Sequence, residues 1–505
     1  MVVSQVIGLL AKSLTGSTFG TGAESEAFFA ANRFSEILFN LVAGGALGSA
    51  FIPTFTGLLT NTDRRKAWEL ASAICNWLVI VLTFLSLLSA LFAPQIVRYI
   101  LAPGFSQADP MKEALTIQLL RVQLPSVVIF GLSGLVMGIL NAHQHFLLPA
   151  LAPAMYSIGW IFGLIVLAPS MSVFGLAWGV VIGAALHLLL QLPGLLSLPA
   201  RQYSLNLGLG MQEVRTVITL MGPRLLGVAV VQLNFLLNTY LASLQPEGSL
   251  TGISLAFPLM IMPQAAIAQS IAIAALPTFS AQVARGKLDE MRSSLAATLR
   301  GVLLLAIPAS MGLILLRRPL VQLIYQRGEF DMASVLLVTW PLLWYAAGLI
   351  GHAIVEIVSR AFYALKDTRT PVFIGVLAMT LNLLFSLLFT FLFKLVGWAP
   401  HGGLALANSL ATGLESIGLL YLMRRKLFGL EGGKIWRGVL LAGSAALVMG
   451  GVVLLWLALA ENLAPVIVTL GGVIAGGATY GLVLALLRAD EVHMVVGAVR
   501  RRFSK

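Results

Sequence analysis

The chain carries two copies of one arrangement of long apolar segments, and this repeat limits the folds available to it. A Pro-Thr-Phe-Thr motif at 53–56 closes one apolar segment, and a Pro-Thr-Phe-Ser motif at 277–280 closes another, 224 residues later. A second pair of anchors, at 94–105 and 319–330, repeats after 225 residues. Near-equal spacing at separate anchors indicates a duplicated half, as in many proteins that carry a substrate across a membrane between two bundles.

The composition places both halves in a membrane. Of the 505 residues, 58% are apolar and only 10% are charged, which leaves too little polar surface for soluble domains. A helix needs about 20 mostly apolar residues to cross the bilayer, and about fourteen segments meet that condition. Strand-like alternation of apolar and polar residues is absent. The sequence therefore predicts an all-α integral membrane protein with about fourteen transmembrane helices.

The repeat also predicts how these helices are grouped. Two six-helix lobes in the same orientation would be related by a pseudo-two-fold axis along the membrane normal, with a helix pair added at the C-terminal end. We expect an N-terminal lobe at 1–196, a cytoplasmic inter-lobe linker at 197–212, a C-terminal lobe at 213–424, an additional helix pair at 425–487 and a basic cytoplasmic tail at 488–505.

The net charge of +12 is explained by topology. Lysine and arginine concentrate in alternate loops, which predicts that both termini are cytoplasmic. The basic residues would then contact membrane lipids, and no nucleic-acid partner is expected. The apolar run at 2–14 favours a retained first crossing over a cleavable signal. Cys75 is the only cysteine, so neither a disulfide nor a cysteine metal site within one chain is expected.

Ionisable residues within the apolar segments are the first candidates for function, because a charge at membrane depth is costly. Arg33 and Glu36 share a helix face and could neutralise each other, or Arg33 could face a cavity and bind an anionic group. Lys12 lies in the first segment. Arg224 follows Gly222 and a proline, so it could mark a helix break or reach the lipid headgroups.

Further candidates lie in the second half. His352 and Glu356 are four residues apart, but too few ligands surround them for a metal site, and pairing of Glu356 with Arg360 is favoured. Glu415 lies in an apolar stretch and is either a coupling site for a proton or cation or a buried, hydrogen-bonded carboxyl. Gln232 and Gln264 could bind sugar hydroxyls or join neighbouring helices.

The sequence contains no arrangement of nucleophile, base and acid and no phosphate-binding glycine loop of the Walker type. We therefore expect a protein that is not an enzyme, that needs no cofactor or metal and that is not powered by ATP bound to this chain.

Several motifs resemble one family over nearly the whole length. They are Glu-Ala-Phe-Phe-Ala-Ala-Asn-Arg at 26–33, Tyr-Gln-Arg-Gly-Glu-Phe at 325–330 and Phe-Tyr-Ala-Leu-Lys-Asp-Thr-Arg-Thr-Pro at 362–371. In these motifs the chain resembles the MurJ (MviN) family of lipid II flippases, within the multidrug, oligosaccharidyl-lipid and polysaccharide exporter superfamily.

The resemblance implies a function in the bacterial plasma membrane. Such a protein moves lipid II, the undecaprenyl-diphosphate-linked peptidoglycan precursor, from the cytoplasmic to the outer leaflet by alternating access, for cell wall biogenesis. Lipid II, membrane lipids and cell-wall synthesis proteins are the implied partners. The candidate cavity residues are Lys12, Glu26, Arg33, Arg224, Gln232 and Gln264, and the candidate coupling residues are Glu356 and Glu415.

The chain departs from the family pattern where the family has cavity arginines. Phe39 and Asn40 align with a pair of them, and another aligns near Pro258. These differences leave an alternative open, namely a flippase for another polyprenyl-linked glycan or a cation-coupled exporter of amphiphiles. A scaffold in a cell-wall synthesis complex that transports nothing is a third hypothesis.

Overall fold

The computed structural model describes residues 2–42, 45–60, 63–199 and 201–487, and within these ranges the chain forms helices and no strand. Three π-helical turns, at Ile96–Leu101, Gly163–Leu167 and Ala265–Gln269, interrupt them. The helices are α1 (Val2–Phe19), α2 (Ala23–Val42), α3 (Gly45–Thr60), α4 (Arg64–Leu91), α5 (Ala93–Gln95), α6 (Pro103–Ala108), α7 (Pro110–Ala142), α8 (Leu147–Phe162), α9 (Ala168–Met171), α10 (Val173–Leu189), α11 (Leu192–Leu196), α12 (Gln212–Ser243), α13 (Ser249–Gln264), α14 (Ser270–Ala284), α15 (Leu288–Tyr325), α16 (Met332–Ala364), α17 (Arg369–Val396), α18 (His401–Lys426), α19 (Gly432–Leu459) and α20 (Pro465–Leu486).

The helices have the lengths that a bilayer requires. In the described ranges, eleven helical stretches are long and apolar enough to cross a membrane, or twelve when α12 is counted as one bent span. The two remaining predicted segments coincide with α1 and with the α2 and α3 region, so a count of about fourteen is compatible with the structure. The predicted all-α membrane fold is confirmed.

The chain divides into two compact units. The first extends to Thr251 and includes Arg327–Phe330, and the second comprises Gly252–Gln326 and the described residues from Asp331 onwards. The lobe boundaries inferred from the repeat stay a prediction. The basic tail at 488–505 lies outside the described residues.

Within the first unit, the segment before α12 lies against α4. The Asn76 side chain donates to the carbonyl oxygens of Ser204 and Asn206, at 3.1 and 2.7 Å, and accepts a hydrogen bond from the Tyr203 hydroxyl at 2.6 Å. The Trp77 indole donates to the Leu207 carbonyl oxygen at 2.9 Å. These bonds satisfy the backbone of a segment that has no helix of its own.

Glycines allow α8 and α10 to approach closely in the same unit. A Cβ atom at Gly159 would lie 2.2 Å from the Gly183 Cα atom, and one at Gly163 would lie 2.6 Å from the Gly179 Cα atom. Glycines four residues apart form one face of each helix, and this pattern permits backbone contact between membrane helices. The crossing of α8 and α10 therefore depends on the absence of side chains.

We expect Gly159→Ala to lower the melting temperature of the purified protein by several degrees, because the added methyl group meets backbone atoms that cannot rotate away. Thermal unfolding monitored by intrinsic fluorescence measures the effect. Gly57→Ala in α3 is the control, since its Cβ would meet nothing within 4 Å. An equal loss of stability in both variants would contradict the proposed crossing.

In the second unit, a buried cluster of α14, α15, α16 and α18 side chains lies beside the turn between α16 and α17. Asp367 holds this turn. Its carboxylate accepts bonds from the Thr370 amide at 3.0 Å and the Thr370 hydroxyl at 2.7 Å, and it pairs with the Lys426 ammonium at 2.5 Å. Partial burial raises the Asp367 pKa, but the bonds from Lys426 and Thr370 outweigh it and lower the pKa to about 2. The 362–371 motif thus fastens the start of α17 to the end of α18.

The stabilisation by Asp367 should depend on pH. Because its pKa is lower in the folded chain, the stabilisation is complete above the usual aspartate value of about 4 and is lost as the pH falls towards 2. We expect Asp367→Asn to cost roughly 1 kcal/mol at pH 6, after allowance for screening by water, and less at pH 3. Melting temperatures across this range test it, with Asp289→Asn, an 88% exposed carboxylate, as control. A cost that does not change with pH would contradict this role.

Candidate functional site

Three charged side chains meet on α1 and α2 in the first unit. The Arg33 Nη1 atom donates to the Glu36 Oε2 atom at 2.8 Å, and the two side chains are 30% and 39% exposed. Lys12 lies within electrostatic range of both. Two cations and one carboxylate thus lie near one another, so the cluster carries one surplus positive charge inside a membrane helix bundle.

Neighbouring side chains orient this pair. The Asn32 amide donates to the Glu36 Oε1 atom at 2.9 Å and accepts a weak bond from the Tyr156 hydroxyl at 3.4 Å. The Phe235 ring of α12 lies below the guanidinium, 5.0 Å from the Arg33 Cζ atom. Glu36 thus contacts one edge of the guanidinium and the Phe235 ring contacts one face, while part of the group stays accessible to solvent.

A cavity of about 390 Å³ adjoins this cluster, and its wall includes Glu36 and the hydrogen-bond partner of Glu36, Asn32. Its wall includes His187, whose Nδ1 atom lies 2.6 Å from the Ser133 hydroxyl. The Ser133 hydroxyl oxygen also accepts a bond from the Gln191 amide at 2.7 Å, so these three side chains form one buried hydrogen-bonded group in the cavity wall. The other lining residues are Ser35, Phe39, Asn40, Ser126, Phe130, Gly134, Met137, Pro153, Tyr156 and Val180.

Glu26 is placed differently from Arg33. Its carboxylate is only 2% exposed, pairs with the ammonium of Lys112 on α7, and accepts a bond from the Leu250 amide at 2.8 Å. The Lys112 ammonium also lies 4.2 Å from the centre of the Phe105 ring. Glu26 therefore joins the starts of α2, α7 and α13 within the first unit. Its predicted contact with a substrate stays a prediction.

Lys112 is a residue that the sequence-based set of candidates missed. A signal was present, since Glu26 and Lys112 each lie in the first turn of a helix that follows a short connection. However, 86 residues separate them, and helix periodicity says nothing about contacts at that distance.

The remaining candidates are dispersed. Gln232 is 8% exposed in α12 of the first unit. Gln264 is half-buried in the second unit and is the last residue of α13, directly before the π-helical turn. Arg224 belongs to α12, and its side chain lies outside the described residues. Lys12 and Arg33 therefore lie near each other in the first unit, whereas Gln264 belongs to the second unit.

The candidate coupling residues lie in the second unit. Glu356 pairs with Arg360 at 2.6 Å, so the predicted pairing is confirmed. The His352 Nε2 atom lies 3.2 Å from the Asn408 Oδ1 atom. Glu415 is half-buried on α18 and faces Gly375 of α17, where a Cβ atom would lie 3.6 Å from its Oε1 atom.

Comparison with known proteins assigns the family. The model of the family described as "Lipid II flippase MurJ" matches residues 15–473. The chain belongs to the MurJ family. Among curated relatives, "Lipid II flippase MurJ" of Burkholderia cenocepacia is 30% identical over 430 residues, which cover 84% of this chain and 82% of the relative. "Probable lipid II flippase MurJ" of Vibrio cholerae is 29% identical over 469 residues, covering 90% and 86%.

Solved structures give the same fold. A structure of "Lipid II flippase MurJ, inward closed conformation" superposes with a TM-score of 0.82 at 23% identity, covering 97% of this chain and 98% of that one. An inward-facing multidrug resistance transporter of the MATE family has a TM-score of 0.72 at 14% identity, covering 85% and 96%. The chain is thus a multi-pass bacterial membrane protein with the MurJ-family fold, and of the cluster residues Arg33 and Glu36 lie within the matched range, whereas Lys12 precedes it.

Glu26 and Lys112 can be tested as a structural pair. We expect Glu26→Gln or Lys112→Met alone to cost about 3 kcal/mol or more, because each leaves a buried charge unpaired. The double variant should be more stable than either single variant, since glutamine still accepts the Leu250 amide bond and no charge remains. Thermal unfolding of the four proteins measures the coupling. Additive losses would contradict the pairing.

Proposed function

We propose that this chain is a lipid II flippase that moves the precursor from the cytoplasmic to the outer leaflet by alternating access, for cell wall biogenesis. The observation that carries the proposal is the positively charged cluster of a partly accessible Arg33 with Lys12 nearby, in a chain of the MurJ family. Curated relatives named lipid II flippases, 29% and 30% identical over most of the chain, support lipid II over other glycan lipids.

The chemistry of the substrate matches the charge of the cluster. A diphosphate needs cations to replace its water, and a guanidinium provides paired hydrogen bonds to phosphate oxygens. Arg33 uses one Nη atom for Glu36 and keeps further N–H groups available. With Lys12 nearby, the surplus positive charge would be neutralised when the diphosphate binds. This gain repays part of the cost of a charge at membrane depth.

Glu36 has a separate role in this proposal. In the absence of a substrate it keeps Arg33 partly neutralised and fixed against Phe235, and Asn32 holds its other oxygen. A diphosphate that reaches Arg33 competes with Glu36 for the same guanidinium. The carboxylate thus weakens binding enough for release, which a transporter needs as much as capture.

The other proposed roles follow from the type and burial of each side chain. Arg224 would add a cation, and Gln232 and Gln264 would bind polar groups of the substrate. Glu415 is the better candidate for coupling, because Glu356 already pairs with Arg360. We further propose that both termini are cytoplasmic, as the distribution of lysine and arginine predicts. No step of this transport requires covalent catalysis.

We expect this chain to rescue a MurJ-depleted bacterium and Arg33→Gln to abolish rescue at equal membrane abundance. Arg33→Lys, which keeps the charge but loses the paired geometry, should rescue weakly. For purified protein, Arg33→Gln should weaken lipid II binding about 10-fold to 100-fold, the value of one or two bonds to a charged group.

The matched control is Arg65→Gln, which removes an 81% exposed arginine that also pairs with a glutamate, Glu69. It should rescue as the unmodified chain does. Full rescue by Arg33→Gln, or unchanged lipid II binding by that variant, would refute the proposed role of the cluster.

A further inference from the structure

A second cavity lies where α18 and α19 separate in the second unit, and its chemistry differs from that of the α1 and α2 site. It has a volume of about 610 Å³ and lies beside the connection at 427–431. Its lining residues are Leu420, Tyr421, Arg424, Gly429, Leu430, Glu431, Gly432, Gly433, Ile435 and Trp436. The cavity thus combines an arginine, two aromatic rings and a stretch of backbone with little side-chain cover.

The charges around this cavity are unbalanced. Glu431, its only carboxylate, is held by Lys434 at 2.8 Å and accepts a bond from the Ser293 hydroxyl. These contacts lower the Glu431 pKa and keep the group ionised but neutralised by its partner. Within the ranges that the structure describes, no ion pair involves Arg424 or Arg437. An anion is therefore the complement of this cavity.

The backbone and the aromatic rings favour a particular kind of anion. Gly432 and Gly433 begin α19, and the Glu431 side chain does not cap this helix, so the N–H groups of these two glycines add donors beside Arg424. Trp436 and Tyr421 are 62% and 53% exposed, as is common for these residues at the boundary between headgroups and acyl chains. The Arg425 guanidinium lies 4.7 Å from the centre of the Tyr421 ring, so a second cation adjoins the cavity, and the exposed Trp436 ring favours a lipid over a small soluble anion.

An apolar path continues from the cavity along both helices. Ile417 lies one turn from Tyr421 on α18, and Leu440 lies one turn from Trp436 on α19, with exposures of 63% and 54%. The two helices pack mainly on different neighbours, α18 on α16 and α17, and α19 on α15 and α20. Each therefore presents an uncovered apolar face directly beyond the charged opening.

We propose that this cavity binds the headgroup of an anionic glycerophospholipid from the surrounding bilayer, with Arg424 on the phosphate and the acyl chains along α18 and α19. The distribution of basic residues predicts that this end of the helices is cytoplasmic, where anionic lipid headgroups attract basic side chains. The site is independent of the proposed lipid II transport, because it uses no residue of the α1 and α2 cluster.

Lipid binding to the purified full-length chain tests the proposal. Native mass spectrometry would compare phosphatidylglycerol with phosphatidylcholine of the same acyl chains. We expect the unmodified chain to retain phosphatidylglycerol preferentially and Arg424→Gln to reduce this retention about tenfold, the value of one bond to a charged group. Arg424→Lys should keep most of it, and melting temperatures should confirm that the variants fold.

The matched control is Arg285→Gln, which removes an exposed arginine in the turn between α14 and α15 of the same unit. It should bind phosphatidylglycerol as the unmodified chain does. The proposal is overturned if Arg424→Gln retains phosphatidylglycerol normally, if Arg285→Gln loses as much, or if phosphatidylcholine binds equally well. It is also overturned if millimolar glycerol phosphate displaces the lipid, because the occupant would then be a soluble phosphate.

Discussion

The first unit depends on the burial of one ion pair, Glu26 with Lys112. Two charges removed from water would cost several kcal/mol each if they were alone, so the pair and its bond to the Leu250 amide must form together. This requirement fixes the starts of α2, α7 and α13 relative to one another. The buried ion pair thus fixes the position of the start of α2. Arg33 and Glu36 lie further along the same helix, so their position depends on this pair.

The two ion pairs of α2 differ in their exposure to water, and this difference indicates which pair supports the fold and which could bind a ligand. Glu26 and Lys112 are 2% and 7% exposed, whereas Arg33 and Glu36 are 30% and 39% exposed. A buried pair can exchange partners only at a large cost in free energy. In a partly exposed pair, the arginine can replace its carboxylate partner with another anion. The burial of each pair thus favours the binding role that we propose for Arg33 and a supporting role for Glu26.

Local patterns predicted most of the fold and only part of the site. The helices follow from apolar segments of membrane length, and the pairs of Arg33 with Glu36 and Glu356 with Arg360 follow from helix spacing. The partners of Glu26 and His187 could not be predicted, because Lys112 and Ser133 lie on other helices and are set by tertiary packing. The same applies to the cavity beside α18 and α19, which exists only because those helices pack on different neighbours.

The motifs that carry the family resemblance hold helix ends together. Asp367 fastens the start of α17 to Lys426, and Gly328 has a positive φ at a point where a Cβ atom would lie 2.2 Å from the Ser17 carbonyl oxygen. Neither contact involves the charged cluster. Such motifs are evidence for the fold, and they include none of the cavity-lining side chains at Phe39 and Asn40. The substrate must therefore be argued from the side chains that could touch it, and in the described part of α1 and α2 those are Lys12 and Arg33. If their surplus charge binds the diphosphate, as we propose, two cations and one carboxylate on α1 and α2 suffice for substrate recognition there.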